Sequence, residues 1–252
     1  MTTAPALATR GLYKRFGGIA ATQDVTLTLP QGARHALIGP NGAGKTTLVN
    51  LITGMLSPSS GTIELDGQDI TRLPAHRRAQ RGLVRTFQIN QLFGQFTPLQ
   101  TIALAVAERE GMGARALRAL CRSTSVVDEA AMLLREFHLI DAMHSKVVQL
   151  PYGKQRLLEI AIAVARRPRV LLLDEPGAGV PAGESAEILD TLAALPADVA
   201  VLLIEHDMDL VFRFAQRIAV LVNGALLVEG AAADIARDPR VKAVYLGQTV
   251  RG

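Results

Sequence analysis

Apolar residues along this chain follow two rhythms. Asp24-Val25-Thr26-Leu27-Thr28-Leu29 alternates polar and apolar, the period of a strand with one covered face, within a strand-like stretch from Ala6 to Leu29. Val170–Leu173 and Val199–Ile204 are unbroken apolar runs and Arg34–Ile38 is a short run with Ala36, Leu37 and Ile38 apolar, which predicts buried strands. Asp66-Gly67 and Asn223-Gly224 each separate two strand-like segments and predict hairpins, Thr62–Leu65 with Gln68–Ile70 and Ile218–Val222 with Ala225–Val228. Leu83–Phe87 predicts one more short strand, ending at Gln88.

The helical rhythm takes over elsewhere. Thr46–Ile52 has helical spacing with Gly54 placed as a C-cap. From about Pro98 to Arg166 the chain is mostly helical, broken at Gly111-Met112-Gly113. Within it, Asp128–His138 carries Leu133, Leu134 and Phe137 on one side, and Tyr152–Arg167 buries Leu157, Leu158, Ala161, Val164 and Ala165 before Pro168. Gly183–Ala194 and Asp207–Ala215 are further predicted helices. His76–Arg81, with Pro74 as first helical residue and Gly82 as C-cap, predicts a short solvated helix. Strands alternating with helices predict an α/β fold with a mainly parallel sheet and ligand at the C-terminal ends of its strands. The expected organisation is one domain over residues 1–252, with an α/β core at about 1–90 and 168–252 and an inserted helical subdomain at about 91–167. No repeat and no low-complexity segment interrupts it.

Composition narrows the picture. Hydrophobic residues make up 49% but aromatics only 4%, with no Trp, so the core is built from Leu, Ile, Val and Ala. The single cysteine, Cys121, rules out an internal disulfide and suits a reducing compartment. Met1–Arg10 has no apolar stretch of signal-peptide length, and no run reaches the roughly eighteen apolar residues of a membrane span. A cytoplasmic chain is expected, with docking on something membrane-embedded left open. The net charge of +4 raises nucleic acid as a partner. The densest basic run, His76–Arg81 followed by Arg85, has no interleaved aromatics, and nucleic-acid binding is not expected.

The strongest chemical signal is Gly39-Pro40-Asn41-Gly42-Ala43-Gly44-Lys45-Thr46-Thr47. It satisfies the phosphate-loop pattern G-x-x-x-x-G-K-S/T at every fixed position, between a predicted strand and a predicted helix. Glycines let backbone N–H groups curl around phosphate oxygens, and the helix N-terminus adds partial positive charge. Lys45 is placed to reach the β and γ phosphates and the Thr46 hydroxyl to ligate Mg2+. This predicts a nucleotide site.

Beside such a loop, Val170–Glu175 is read as a strand adjacent to the phosphate-loop strand, with Asp174 on the Mg2+ side and Glu175 nearer the γ-phosphate to polarise water. Ile204-Glu205-His206-Asp207 ends another buried strand on the same edge, which makes His206 a γ-phosphate contact. Gln88 is a candidate for Mg2+ and water contact. Leu150-Pro151-Tyr152-Gly153-Lys154-Gln155-Arg156 opens a helix with glycine in its first turn, a candidate anion site.

Together these segments resemble the ATP-binding-cassette (ABC) ATPases from about Leu7 to Leu246. Gly39–Thr46 resembles their Walker A motif, Gln88 the Q-loop, Leu150–Gln155 the signature, and Val170–Asp174 Walker B. Glu175 resembles the catalytic glutamate, His206 the switch histidine, and Phe16 the aromatic that stacks on adenine. The resemblance implies a P-loop NTPase core with an antiparallel β portion, ATP and Mg2+ as ligands, and ATP hydrolysis. It also implies a homodimer or heterodimer of head-to-tail cassettes, in which Tyr152 and Gly153 serve the other subunit's nucleotide. Arg85-Thr86-Phe87-Gln88, Tyr152, Ile204–Val211 and the ending Asp238–Gly247 are similar to the ATP-binding subunits of branched-chain amino acid importers. That likeness implies two transmembrane permease subunits and, indirectly, an extracytoplasmic solute-binding protein. Importers of urea, amides or aromatic acids are alternatives. A soluble cassette of DNA maintenance or translation would usually carry two cassettes or a coiled-coil insertion, and this chain shows neither.

Two departures stand out. The usual serine of the signature is Pro151, and Pro181 falls where the loop after Walker B usually carries an acidic or amide residue. Both lie on dimer-facing elements, so the expectation is that this chain hydrolyses its own nucleotide and serves its partner's less well.

Overall fold

The computed structural model describes residues 4–86, 92–112, 124–180 and 182–246. Two compact units share the chain: Met1–Arg85 with Arg169–Glu175 and Pro196–Gly252, and Thr86–Pro168 with Pro176–Leu195.

The first unit begins with β1 (Leu7–Phe16), β2 (Ile19–Leu29), β3 (Arg34–Ile38), α1 (Lys45–Thr53), β4 (Ser60–Leu65), β5 (Gln68–Asp69), α2 (Ala75–Gln80) and β6 (Leu83–Arg85). The second unit supplies α3 (Pro98–Arg109), α4 (Thr124–Glu136) and α5 (Tyr152–Ala165). The chain then returns for β7 (Val170–Asp174), leaves for α6 (Ala182–Ala193), and closes with β8 (Ala200–Ile204), α7 (Met208–Phe214), β9 (Arg217–Val222), β10 (Ala225–Ala231), α8 (Ala232–Ile235) and α9 (Pro239–Leu246).

In the α/β unit the strands form two sheets. One is antiparallel in the order β2-β1-β4-β5, and the other runs β10-β9-β3-β8-β7-β6. In the second sheet all neighbours are parallel except β10, which returns from β9 across Asn223-Gly224. Strands β7 and β8 are buried at every position, as their unbroken apolar runs require. Leu48, Val49, Leu51 and Ile52 of α1 belong to one apolar core with Leu27 and Leu29 of β2 and with Leu37, Leu172 and Leu202 of the parallel sheet.

The order of this sheet corrects one expectation. β7 does not lie beside the phosphate-loop strand β3; β8 lies between them. β3 is hydrogen-bonded to β8 on one side and β9 on the other, which leaves it no edge for β7. An apolar run announces burial on both faces but carries no information on which strand becomes its neighbour.

The basic run after β5 corrects another. Helix α2 forms with Pro74 at its N-cap rather than inside it, and Arg81 is the C-cap. It is not a solvated helix throughout, because Arg78 is only 2% exposed. Its guanidinium donates to the carbonyls of Leu51 and Ile52 in the last turn of α1 (2.7 and 2.6 Å) and to those of Leu73 and Thr71. The last carbonyls of a helix lack intrahelical partners and carry partial negative charge. Arg78 satisfies them from outside the helix.

In the helical unit, Thr97 and Gln100 form a capping box that starts α3. Arg109 at its other end binds Glu129 of α4 with both terminal nitrogens (2.7 and 2.9 Å) and the Ala165 carbonyl of α5 (2.8 Å). One bidentate guanidinium thus ties three helices together.

Candidate functional site

The phosphate loop joins β3 to α1. Gly39, Gly42 and Gly44 have φ of 154°, 77° and 101°. Two of these glycines are also required by space: a Cβ at Gly39 would strike the Leu221 carbonyl, and one at Gly44 the Ala21 carbonyl. Those neighbours belong to β9 and β2, so the loop is pressed between the two sheets. The β9–β10 turn braces it further, since Gly224 N–H donates to the Ala43 carbonyl (2.8 Å) and the Gly224 carbonyl accepts from Gln23 N–H (2.7 Å). Sequence reading identified Asn223-Gly224 as a turn and did not foresee that it seats the loop.

Helix α1 opens on Gly44 with no side-chain cap and no acidic residue in its first turn. No side chain of the first turn therefore competes with an anion for its first N–H groups. Lys45 folds back over the loop, its Nζ donating to the carbonyls of Gly39 (2.6 Å) and Pro40 (3.0 Å). Burial lowers the Lys45 pKa, while the carboxylates of Glu175 and then Asp174 oppose that shift. These two acids at the end of β7 thus act on the same small volume as the phosphate-loop lysine.

Asp174 is buried and paired with Arg85 of β6. Glu175 follows with φ of 48°, in the left-handed region that costs a side chain about 1 kcal/mol or more. Its N–H is held by the Ile204 carbonyl (2.8 Å), which fixes the acid to the end of β8. There His206 places Nδ1 3.8 Å from Glu175 Oε1 and 3.6 Å from Glu205 Oε2. Glu205 is buried and accepts from the His206 N–H at 2.9 Å, so it anchors the turn that carries the histidine.

The α/β unit therefore brings together Lys45, Asp174, Glu175 and His206. Thr46 and Thr47 lie in the first turn of α1. Phe16, at the end of β1, is 48% exposed, pairs with Ile19 across the hairpin and lies 5.2 Å from the Lys14 ammonium. Gln88 and Pro181 lie outside the described residues. In the helical unit, Tyr152 and Gly153 open α5, whose N-cap Pro151 gives no side-chain hydrogen bond. The Tyr152 ring lies against Gly179, where an added Cβ would come within 3.3 Å of it, and the Arg156 guanidinium sits 5.2 Å from its centroid.

Sequence reading quoted Arg78, Arg85, Glu205 and Tyr245 only within longer runs and gave them no role of their own. Tyr245 lies on α9, where burial pushes its phenol up.

An uncapped helix start, glycines that accept no Cβ and a lysine turned into the loop suit a nucleoside triphosphate. Thr46 in the first turn of α1 and Asp174 at the end of β7 are oxygen donors of the kind a hard divalent cation takes. Among the described residues no group of His, Cys, Asp and Glu forms a metal cage of its own.

Comparison with known proteins agrees with this chemistry. A family model described as ABC transporter matches residues 22–178. The chain is 39% identical to the high-affinity branched-chain amino acid transport ATP-binding protein BraF of Pseudomonas aeruginosa, over 97% of this chain and 98% of that protein. It is 38% identical to LivG of Escherichia coli K12, of the same description, again over 97% and 98%. Among solved structures, the ADP conformation of MJ1267, an ATP-binding cassette of an ABC transporter, superposes with a TM-score of 0.84 at 31% identity, covering 97% of this chain and all of that one. No helix among the described residues is long and apolar enough to cross a membrane. With its phosphate loop, the two acids that end β7 and His206 assembled in one α/β unit, the chain belongs to the ABC transporter family as an ATP-binding cassette, an ATPase that energises transport.

Proposed function

We propose that this chain is the ATP-hydrolysing subunit of an importer for branched-chain amino acids, working on the inner face of the membrane with a second cassette and two permease subunits. The observation that carries the solute is likeness along nearly the whole chain to BraF and LivG, whose names state that transport. An extracytoplasmic solute-binding protein completes the proposed system.

The residues divide the chemistry as follows. The N–H groups of Gly39–Thr47 (Gly39, Asn41, Gly42, Ala43, Gly44, Lys45, Thr46 and Thr47, Pro40 having none) cradle the phosphates, and Lys45 exchanges its two carbonyl acceptors for phosphate oxygens. Thr46, Asp174 and Gln88 hold Mg2+, which when bound neutralises charge on the transferring phosphoryl group. Glu175 accepts the proton of the attacking water, and His206 orients the γ-phosphate end from the adjacent turn. Phe16 stacks on the adenine. Tyr152 and Gly153 present the start of α5 to the partner cassette's nucleotide.

Uptake tests the solute. Deleting the gene should abolish uptake of labelled leucine at low micromolar concentration, and the wild-type gene should restore it while a Lys45→Ala copy should not. Undiminished leucine uptake, in a strain without another leucine importer, would transfer the proposal to urea, amides or aromatic acids.

A further inference from the structure

Asp174 and the phosphate-loop helix stand on strands that are not neighbours, since β8 separates β7 from β3. Something must set the distance between the carboxylate and α1. Arg85 spans that gap. From the end of β6 its guanidinium pairs one terminal nitrogen with Asp174 Oδ2 and donates from the other to Asn50 Oδ1 at 2.7 Å. Both members of the ion pair are sequestered, with side-chain exposures of 11% and 8%. Asn50 is one helical turn beyond Thr46, so the two share a face of α1.

We propose that Arg85 is a positioning residue for the metal side of the nucleotide site, holding Asp174 in register with Thr46 through Asn50. The inference rests on the reading of Asp174 and Thr46 as the groups that hold Mg2+. A planar guanidinium suits the task because its nitrogens are fixed relative to one another, so two acceptors bound to it cannot drift independently. A lysine at this position would keep the charge and lose the bridge. Partners that orient a ligand carboxylate typically change metal affinity by about 10- to 100-fold when removed.

The experiment measures binding of a fluorescent ATP analogue to the whole protein, titrated with Mg2+ and separately in EDTA. Arg85→Lys and Asn50→Ala are compared with Asp174→Asn. The expected result is that Arg85→Lys and Asn50→Ala keep EDTA affinity within about twofold but need about tenfold more Mg2+ for half-maximal enhancement. Asn50→Ala removes one part-buried acceptor and keeps the ion pair, so it decides the question even if Arg85→Lys folds poorly. Folded variants with the parent's Mg2+ dependence, beside an Asp174→Asn that has lost it, would overturn the positioning role. An Asp174→Asn protein with unchanged Mg2+ dependence would overturn the metal reading of Asp174 itself. A merely structural Arg85 would lower the melting temperature and leave the Mg2+ titration where it was.

Discussion

His206 Nδ1 lies 3.8 Å from Glu175 Oε1, although the two residues follow different strands and neither is near the other in sequence. The contact exists because β7 and β8 are parallel neighbours in register, Asp174 opposite Ile204, so that the next residues of each emerge side by side. Glu175→Gln should therefore bind ATP about as tightly as the parent and lose at least about 100-fold in turnover, because the amide keeps the shape and cannot accept a proton. Phosphate release with parallel nucleotide-binding measurements checks this. Hydrolysis at the parent rate would remove Glu175 from the chemistry.

His206→Ala should lower turnover about tenfold or more with nucleotide affinity near that of the parent, since its side chain is 65% exposed and bears little of the fold. Equal loss of affinity and turnover would argue instead for a role in ground-state binding.

Pro151 caps α5 with φ of −53° and ψ of 151°, extended values that serine also adopts at an N-cap, and it supplies no side-chain acceptor. Pro151→Ser should stabilise the helix by about 1 kcal/mol and raise ATPase activity of the isolated homodimer, because it adds a hydroxyl at the helix end proposed to face the partner cassette. A rise in melting temperature without a rise in ATPase would mean that the helix N-terminus already suffices for the partner's nucleotide.

Arg78→Met keeps the bulk and removes the donors that the carbonyls of Leu51, Ile52, Leu73 and Thr71 use. Hydrogen bonds from a charged donor are worth about 1.5–3 kcal/mol each and are not additive, so a loss of about 3 kcal/mol or more is expected. Urea unfolding measures it. A loss below about 1 kcal/mol would show that water replaces the guanidinium at the end of α1.

His35 is buried in β3, and burial lowers its pKa, opposed by Glu229 and assisted by Arg217. Above the ordinary histidine value of about 6.5 the imidazole is neutral in folded and unfolded chains alike. Below it the unfolded chain takes up a proton that the folded chain does not, so stability falls as pH drops. The urea midpoint should decrease from about pH 7.5 to about pH 5.5 by more in the parent than in His35→Val. Parallel decreases in the two proteins would place the acid sensitivity elsewhere.

Much of this molecule is local chemistry, and local chemistry is legible in one dimension. Arg34–Ile38 becomes β3 at the predicted residues, Gly54 caps α1 in the left-handed conformation, and both glycine-containing two-residue turns close hairpins. Each is encoded within a few residues by a period or a backbone requirement. Motif spacing around the phosphate loop also singled out Glu175, His206 and Lys45, which the α/β unit brings together.

Tertiary structure decided what depends on distant partners. An apolar strand pairs equally well with any other apolar strand, so only the assembled sheet puts β8 between β3 and β7. An arginine in a polar run has no local mark of burial; Arg78 is drawn inside by carbonyls at the end of α1, and Arg85 by a carboxylate 89 positions away. Charge and hydrogen-bond pairing across such separations is set by which surfaces the fold brings face to face, and that information is nowhere in the spacing of residues along the chain.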